Sequence, residues 1–151
     1  MTIESNSFKN NSPVPERYTC DGENINPHLR FADVPAQTAG LALIMEDPDA
    51  PGKTFVHWLV WNIAPDIREI PEGAVLMNAT SGTTDFGETG YGGPCPPSGV
   101  HHYFFRLYAL DAILDLGPNA TRADLEQAMQ GHIAASAELI GTYQKGIFVS
   151  S

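Results

Sequence analysis

Apolar and β-branched residues gather in this chain into short runs, each stopped by proline, glycine or aspartate, and that punctuation argues against an all-helical bundle. The runs lie at 28–34, 41–46, 55–63, 102–110 and 146–150. Fourteen Gly and twelve Pro in 151 residues exceed ordinary usage and supply the turns this pattern needs. With 42% hydrophobic and 17% charged residues, the chain can build a core at the length of one domain. The sequence therefore predicts a mainly β, single-domain protein over 1–151. One stretch reads differently. From 121 to about 143, Thr121 can cap a helix, Asp124 stands near its positive end, and Leu125, Met129 and Ile133 recur at intervals of four. Gly131 lies inside, so two shorter helices fit as well as one.

Eight basic residues against eighteen acidic ones give a net charge of −10, a field that repels nucleic acid and anionic membrane. Any small anion must then be held by local donors. The first residues, MTIESNSFKN, show no signal-peptide pattern, and no stretch approaches roughly 18 apolar residues, so the expectation is a cytoplasmic chain without a transmembrane segment. Cys20 and Cys95 make neither a disulfide framework nor a C-x-x-C pair, and are expected as free thiols.

Three segments carry candidate chemistry. The run 41–46 leads into Asp47-Pro48-Asp49-Ala50-Pro51, placing two carboxylates where a strand gives way to a rigid turn. By period-two alternation Phe55, His57, Leu59, Trp61 and Ile63 share one face, and a hairpin pairing would bring His57 near Asp47. The segment 72–99, rich in Gly and Pro, reads as a long functional loop that feeds a strand beginning with histidines. On that strand His101, Tyr103, Phe105 and Leu107 share a face, while His102, Phe104, Arg106 and Tyr108 take the other. Taken singly, His57 could be a core histidine and the aspartates turn caps. Taken together they describe a small polar pocket at one end of a sheet, with imidazoles and a phenol as donors and carboxylates orienting them.

Sharper motifs are absent or broken. There is no G-x-S-x-G, no G-x-x-x-x-G-K-[ST] and no H-E-x-x-H. The Asp47–Asp49 segment fails as a calcium loop because Pro51 and Trp58 replace oxygen ligands, and the His101-His102 pair lacks the partner segment of a cupin metal motif. No metal and no cofactor is expected.

Four segments together resemble the phosphatidylethanolamine-binding protein family, in its bacterial Raf-kinase-inhibitor-like branch. They are Tyr18-Thr19-Cys20-Asp21-Gly22-Glu23-Asn24-Ile25-Asn26-Pro27, Asp47-Pro48-Asp49-Ala50-Pro51, Val56-His57-Trp58-Leu59-Val60-Trp61-Asn62, and Tyr91-Gly92-Gly93-Pro94-Cys95-Pro96-Pro97-Ser98-Gly99-Val100-His101. The resemblance implies an antiparallel β-sandwich with a few peripheral helices near the C-terminus, and a shallow anion pocket accepting phosphate-like groups. It places Asp47, Asp49, His57, His101 and Tyr103 in that pocket, with Cys95 where the loop presents a backbone N–H to the anion. It also implies that the tail 121–143 is helical. His102 stands where Arg is frequent and Phe31 where Trp is frequent; His102 is expected on the face away from the pocket. The short tail after 146 implies an open pocket.

Three functions follow from these readings. The first is a binding or regulatory module for a small phosphorylated or other anionic ligand. The second is an enzyme using a His–Asp pair as general base and the second His or Tyr103 as acid, in which Cys95 could serve as nucleophile if the histidines lowered its pKa. The third, implied by the resemblance, is an inhibitor that contacts a kinase or protease. Val14 and Ile25 are expected to be exposed and to line a homodimer contact.

Overall fold

The computed structural model describes residues 1–144. In chain order the strands are β1 (Thr2–Glu4), β2 (Ser12–Pro13), β3 (Leu29–Ala32), β4 (Gly40–Asp47), β5 (Phe55–Ile63), β6 (Glu69–Ile70), β7 (Thr80–Ser81) and β8 (Val100–Leu110). The helix α1 (Arg122–Met129) and the strand β9 (Ile133–Gln144) follow. A three-stranded sheet, ordered β1-β3-β6, faces a six-stranded sheet, ordered β2-β9-β8-β4-β5-β7. Every pairing is antiparallel except the short parallel contact of β2 with β9. The run 146–150, expected as a strand, lies outside the described residues.

Two apolar layers hold this arrangement. Ile3, Leu29, Phe31 and Ile70 of the small sheet pack with Leu41, Leu43, Met45, Tyr103, Phe105 and Leu107 of the large one, filling the sandwich. Burying each such side chain contributes roughly 1.5–3 kcal/mol. On the other side of the large sheet, Ala42, Ile44, Leu59 and Trp61 pack with Leu125 and Met129 of α1. Thus β4 is covered on both faces and all of its residues are buried, as its unbroken apolar run requires.

The stretch 121–143 is not one helical segment. Thr121 and Asp124 form a reciprocal capping box that starts α1, and Leu125 and Met129 are its buried face. The chain then turns at Gly131, whose φ of 79° suits glycine. Beyond it β9 pairs with β8 from Ile133 opposite Leu110 to Gln144 opposite Val100. Ala135, Ala137 and Leu139 alternate onto the sandwich core, while Ile133 is 47% exposed and leaves the interval of four. Tertiary pairing along β8 overrides the local helical preference of the alanine-rich segment.

The expected dimer-lining residues are placed otherwise. Val14 is buried and donates its N–H to the Thr142 carbonyl (2.7 Å), because β2 docks on β9. Ile25 is partly buried against the sandwich core.

Candidate functional site

Asp47 pairs with Phe55 and Glu46 with Phe104, so the end of β4 and the starts of β5 and β8 meet at one end of the large sheet. The segment 91–97 crosses this end. Its Tyr91 hydroxyl donates to the Tyr18 carbonyl (2.7 Å), Gly93 N–H to Asn24 Oδ1 (2.8 Å) and Cys20 N–H to the Pro94 carbonyl (3.1 Å). Between them lies a cavity of about 150 Å³, lined among others by Asp47, Phe55, His57, Phe86, Cys95, His101 and Tyr103. It is smaller than the roughly 300–1,000 Å³ of sites for drug-sized ligands and suits a compact group.

The alternation expected for β8 holds: His101, Tyr103, Phe105 and Leu107 are buried on one face. The single face expected for β5 does not. Val56, Leu59 and Trp61 join the α1 layer, whereas Trp58, Val60 and Ile63 join the sandwich. Two irregularities in the β4–β5 ladder cause this: His57 is an extra residue between the Met45–Trp58 and Glu46–Val56 pairs, and a second shift near Asn62 coincides with its φ of 55°. The first bulge turns His57 out of the regular alternation and aims it into the cavity.

His57 donates from Nδ1 to the Gly92 carbonyl (2.8 Å). Burial lowers its pKa below the ordinary imidazole value, partly offset by the Gly92 bond and the charge of Asp47. His101 Nδ1 bonds Asp47 Oδ2 at 2.6 Å, and both side chains are almost fully buried. The other oxygen of Asp47 accepts the Asp49 N–H (2.8 Å). Both carboxylate oxygens are thus occupied, and His101 Nε2 is the ring nitrogen not committed to Asp47.

Tyr103 lies between the imidazoles, its ring edge-on to His57 with centroids 5.2 Å apart and stacked with His101 at 6.5 Å. Its hydroxyl is shielded from water and makes no hydrogen bond of normal geometry. Burial raises the phenol pKa, the charge of Asp47 adds to this, and the nearby Cys95 N–H works the other way. Tyr103 therefore remains a protonated donor lacking an acceptor.

Asp49 belongs to a different contact. It does not line the cavity; its Oδ2 accepts from both the backbone N–H (2.8 Å) and Nδ1 (2.7 Å) of His102. The side-chain bond from His102 lowers its pKa. His102 points away from the cavity, as alternation predicts, and secures the turn after β4.

The cysteines are bridged. Cys20 and Cys95 form a disulfide with Cα atoms 5.5 Å apart, which corrects the expectation of free thiols. The segments carrying them are zipped by the three hydrogen bonds of 18–24 to 91–95, so residues distant in sequence become neighbours. A bridged Cys95 is a wall of the cavity and not a nucleophile. Phe86 is a lining residue that the sequence reading did not single out. Its ring meets Phe55 at 4.8 Å and His57 at 5.3 Å, and a lone Phe in a glycine-rich loop carries no motif. Among the described residues no group of three or more His, Cys, Asp or Glu side chains is placed to hold a metal ion, and no helix is long and apolar enough to cross a membrane.

Comparison with known proteins agrees with this frame. A UPF0098 protein of Methanothermobacter thermautotrophicus is 48% identical, spanning 97% of this chain and 100% of its own length. Another, from Chlamydia trachomatis, is 43% identical over 96% of this chain and 99% of its own. Among solved structures, the phosphatidylethanolamine-binding protein homologue CT736 of Chlamydia trachomatis superposes with a TM-score of 0.92 at 42% identity, covering 95% of this chain and 97% of that one. E. coli YbcL, described as a new member of the mammalian PEBP family, superposes with a TM-score of 0.89 at 31% identity and the same coverage. The family model for phosphatidylethanolamine-binding protein matches residues 4–144, and the chain belongs to that family.

Proposed function

We propose that this protein binds a compact anion, a phosphate or carboxylate group of a small ligand, in the cavity at the end of β4, β5 and β8. Family membership supports a small binding protein. The observation that carries the finer reading is the Tyr103 hydroxyl, a buried donor without an acceptor inside the cavity. Such groups are rare in folded proteins, and an acceptor oxygen on a ligand would satisfy it. In their protonated forms, His101, oriented by Asp47, and His57 add N–H donors from the ring nitrogens not engaged by Asp47 and Gly92. Both oxygens of Asp47 already accept hydrogen bonds, and its negative charge is balanced toward the anion when a facing imidazole is protonated. Protonation of His57 turns the cavity toward positive charge, so binding is strongest in mildly acidic solution. Phe55, Phe86 and the prolines of the loop exclude water from these donors and strengthen each contact.

The test is an NMR titration of the histidine side chains with inorganic phosphate near pH ~6, where imidazoles titrate. Saturable shifts of His57 and His101, with His28 and His132 unmoved, are expected. Unmoved signals for His57 and His101 at millimolar phosphate would remove the anion reading.

A further inference from the structure

The Phe86 ring belongs to two walls at once. On one side it lines the cavity of about 150 Å³ that holds His57 and Tyr103. On the other it lines a second hollow of about 230 Å³, whose side chains include Asn24, Thr84, Glu88, Thr89 and Tyr91. Phe86 is the one residue the two linings share. Behind the ring stands Gly92, where an added Cβ would fall 2.4 Å from Phe86 Cε2. At this wall the Phe86 ring packs against bare backbone at Gly92 and against the edge of His57. Phe86 is 45% exposed, yet His57 beneath it is only 2% exposed.

The backbone that carries this ring is fixed. Asp85 N–H donates to the Val56 carbonyl (3.0 Å) and Val56 N–H returns to Asp85 Oδ2 (2.7 Å), which ties the turn to β5. Within the turn, Phe86 N–H donates to Thr84 Oγ1 (3.2 Å) and Gly87 N–H to the Thr84 carbonyl (3.0 Å). Rotation about the side-chain bonds of Phe86 is then the motion that opens or closes the partition, and its solvent side leaves room for it.

We infer that Phe86 is the specificity-determining residue of the cavity: in place, its ring admits only compact anions, and turned aside it joins the cavity to the second hollow, which selects a hydroxylated substituent over an alkyl one. This rests on the anion reading above. The second hollow offers the Asn24 amide, the Thr89 hydroxyl and the Glu88 carboxylate, while the Thr84 hydroxyl is already engaged by the Glu88 carbonyl and the Phe86 N–H. Hydroxyl groups can make hydrogen bonds to these polar residues that an alkyl chain cannot.

Three probes of graded shape test this on the intact protein: inorganic phosphate, glycerol 3-phosphate and propyl phosphate, which share a headgroup and differ in the tail. The readout is each ester's affinity divided by that of inorganic phosphate. This ratio cancels any change common to all anions, including a change in the hydration of His57. In Phe86→Ala the glycerol 3-phosphate ratio is expected to rise about tenfold, the scale on which a pocket discriminates small groups, with a smaller rise for propyl phosphate. In Phe86→Trp both ratios are expected to fall. Phe86→Leu carries the same comparison should the alanine variant fold poorly. An unchanged ratio in Phe86→Ala, or an equal rise for the two esters, overturns the inference while leaving the anion cavity standing. Absence of phosphate binding in the wild-type protein overturns the anion reading, and the inference falls with it.

Discussion

Glu46 and Asp47 are consecutive on β4 and serve opposite faces of the large sheet. Glu46 accepts from Arg106 Nε (2.9 Å) and Arg122 Nε (2.6 Å) on the α1 side, and Asp47 accepts from His101 on the cavity side. One peptide unit therefore ties the helix layer to the candidate site.

Substituting Glu46→Ala leaves Arg106 and Arg122 without their shared buried carboxylate. Both guanidiniums are part-exposed and keep Glu138 and Glu126 as partners, so the expected loss of stability is about 2–3 kcal/mol, as for lost charge-assisted hydrogen bonds. Glu126, whose side chain is 58% exposed beside Arg122, provides the contrast: Glu126→Ala should change stability by less than about 1 kcal/mol. Urea unfolding of the two variants separates these magnitudes.

Asp47→Ala removes the acceptor for His101 and for the Asp49 N–H. A cost of about 3 kcal/mol follows, between a lost buried hydrogen bond and a broken buried pair. Phosphate affinity should also fall, because His101 loses the group that orients it. Asp49→Ala, which frees His102 on the exposed face, should leave phosphate affinity nearly unchanged. Calorimetric titration of both variants would expose a misplaced assignment if the two lost affinity alike.

The neutral burial of His57 sets a pH dependence. Its folded pKa lies below the unfolded value near ~6.5, so the folded protein holds fewer protons than the unfolded chain through this range. The stability contributed by the neutral ring is complete above ~6.5 and is lost as pH falls through the lowered folded value. Anion binding has the opposite sign: affinity rises as His57 gains its proton. Sulfate, whose own charge stays constant here, is the suitable probe, and its affinity should decline as pH rises through the His57 titration. A flat profile would mean that histidine charge does not drive binding.

Reduction of the Cys20–Cys95 bridge releases a loop with a sequence separation of 75 residues. On the chain-entropy account, this costs about 4 kcal/mol. Because Cys95 lines the cavity, phosphate affinity should weaken as well. Alkylation under denaturing conditions should label neither cysteine before reduction and both after it, and mass spectrometry reads this directly.

The parts of this structure legible in the sequence are those where a strand is regular. His101 and Tyr103 could be placed on one face because β8 alternates without interruption beside β4. His57 was found but its face was not, since a bulge depends on which residue of β4 is skipped, and period-two counting along β5 contains no trace of β4. The helical reading of 133–143 failed for a related reason: β9 is a strand because β8 stands beside it. The bridge between Cys20 and Cys95 left no spacing signal, because it is made by two loops that meet only after folding. Phe86 had neither motif nor period to mark it.

The pairing of β2 with β9 also sets an order in time. Ser12 finds its partner at Gly141, so the edge of the large sheet cannot close until nearly the whole described chain has been synthesised. The central strand β4 likewise waits for β8, whose Leu110 pairs with Gly40. At translation rates of roughly 5–20 residues per second, that delay lasts several seconds. During it the apolar run of β4 has β5 on one side and an open edge on the other. The nascent chain thus displays the apolar run of β4 with one edge unpaired before its cover arrives, an exposure that follows from the strand order alone.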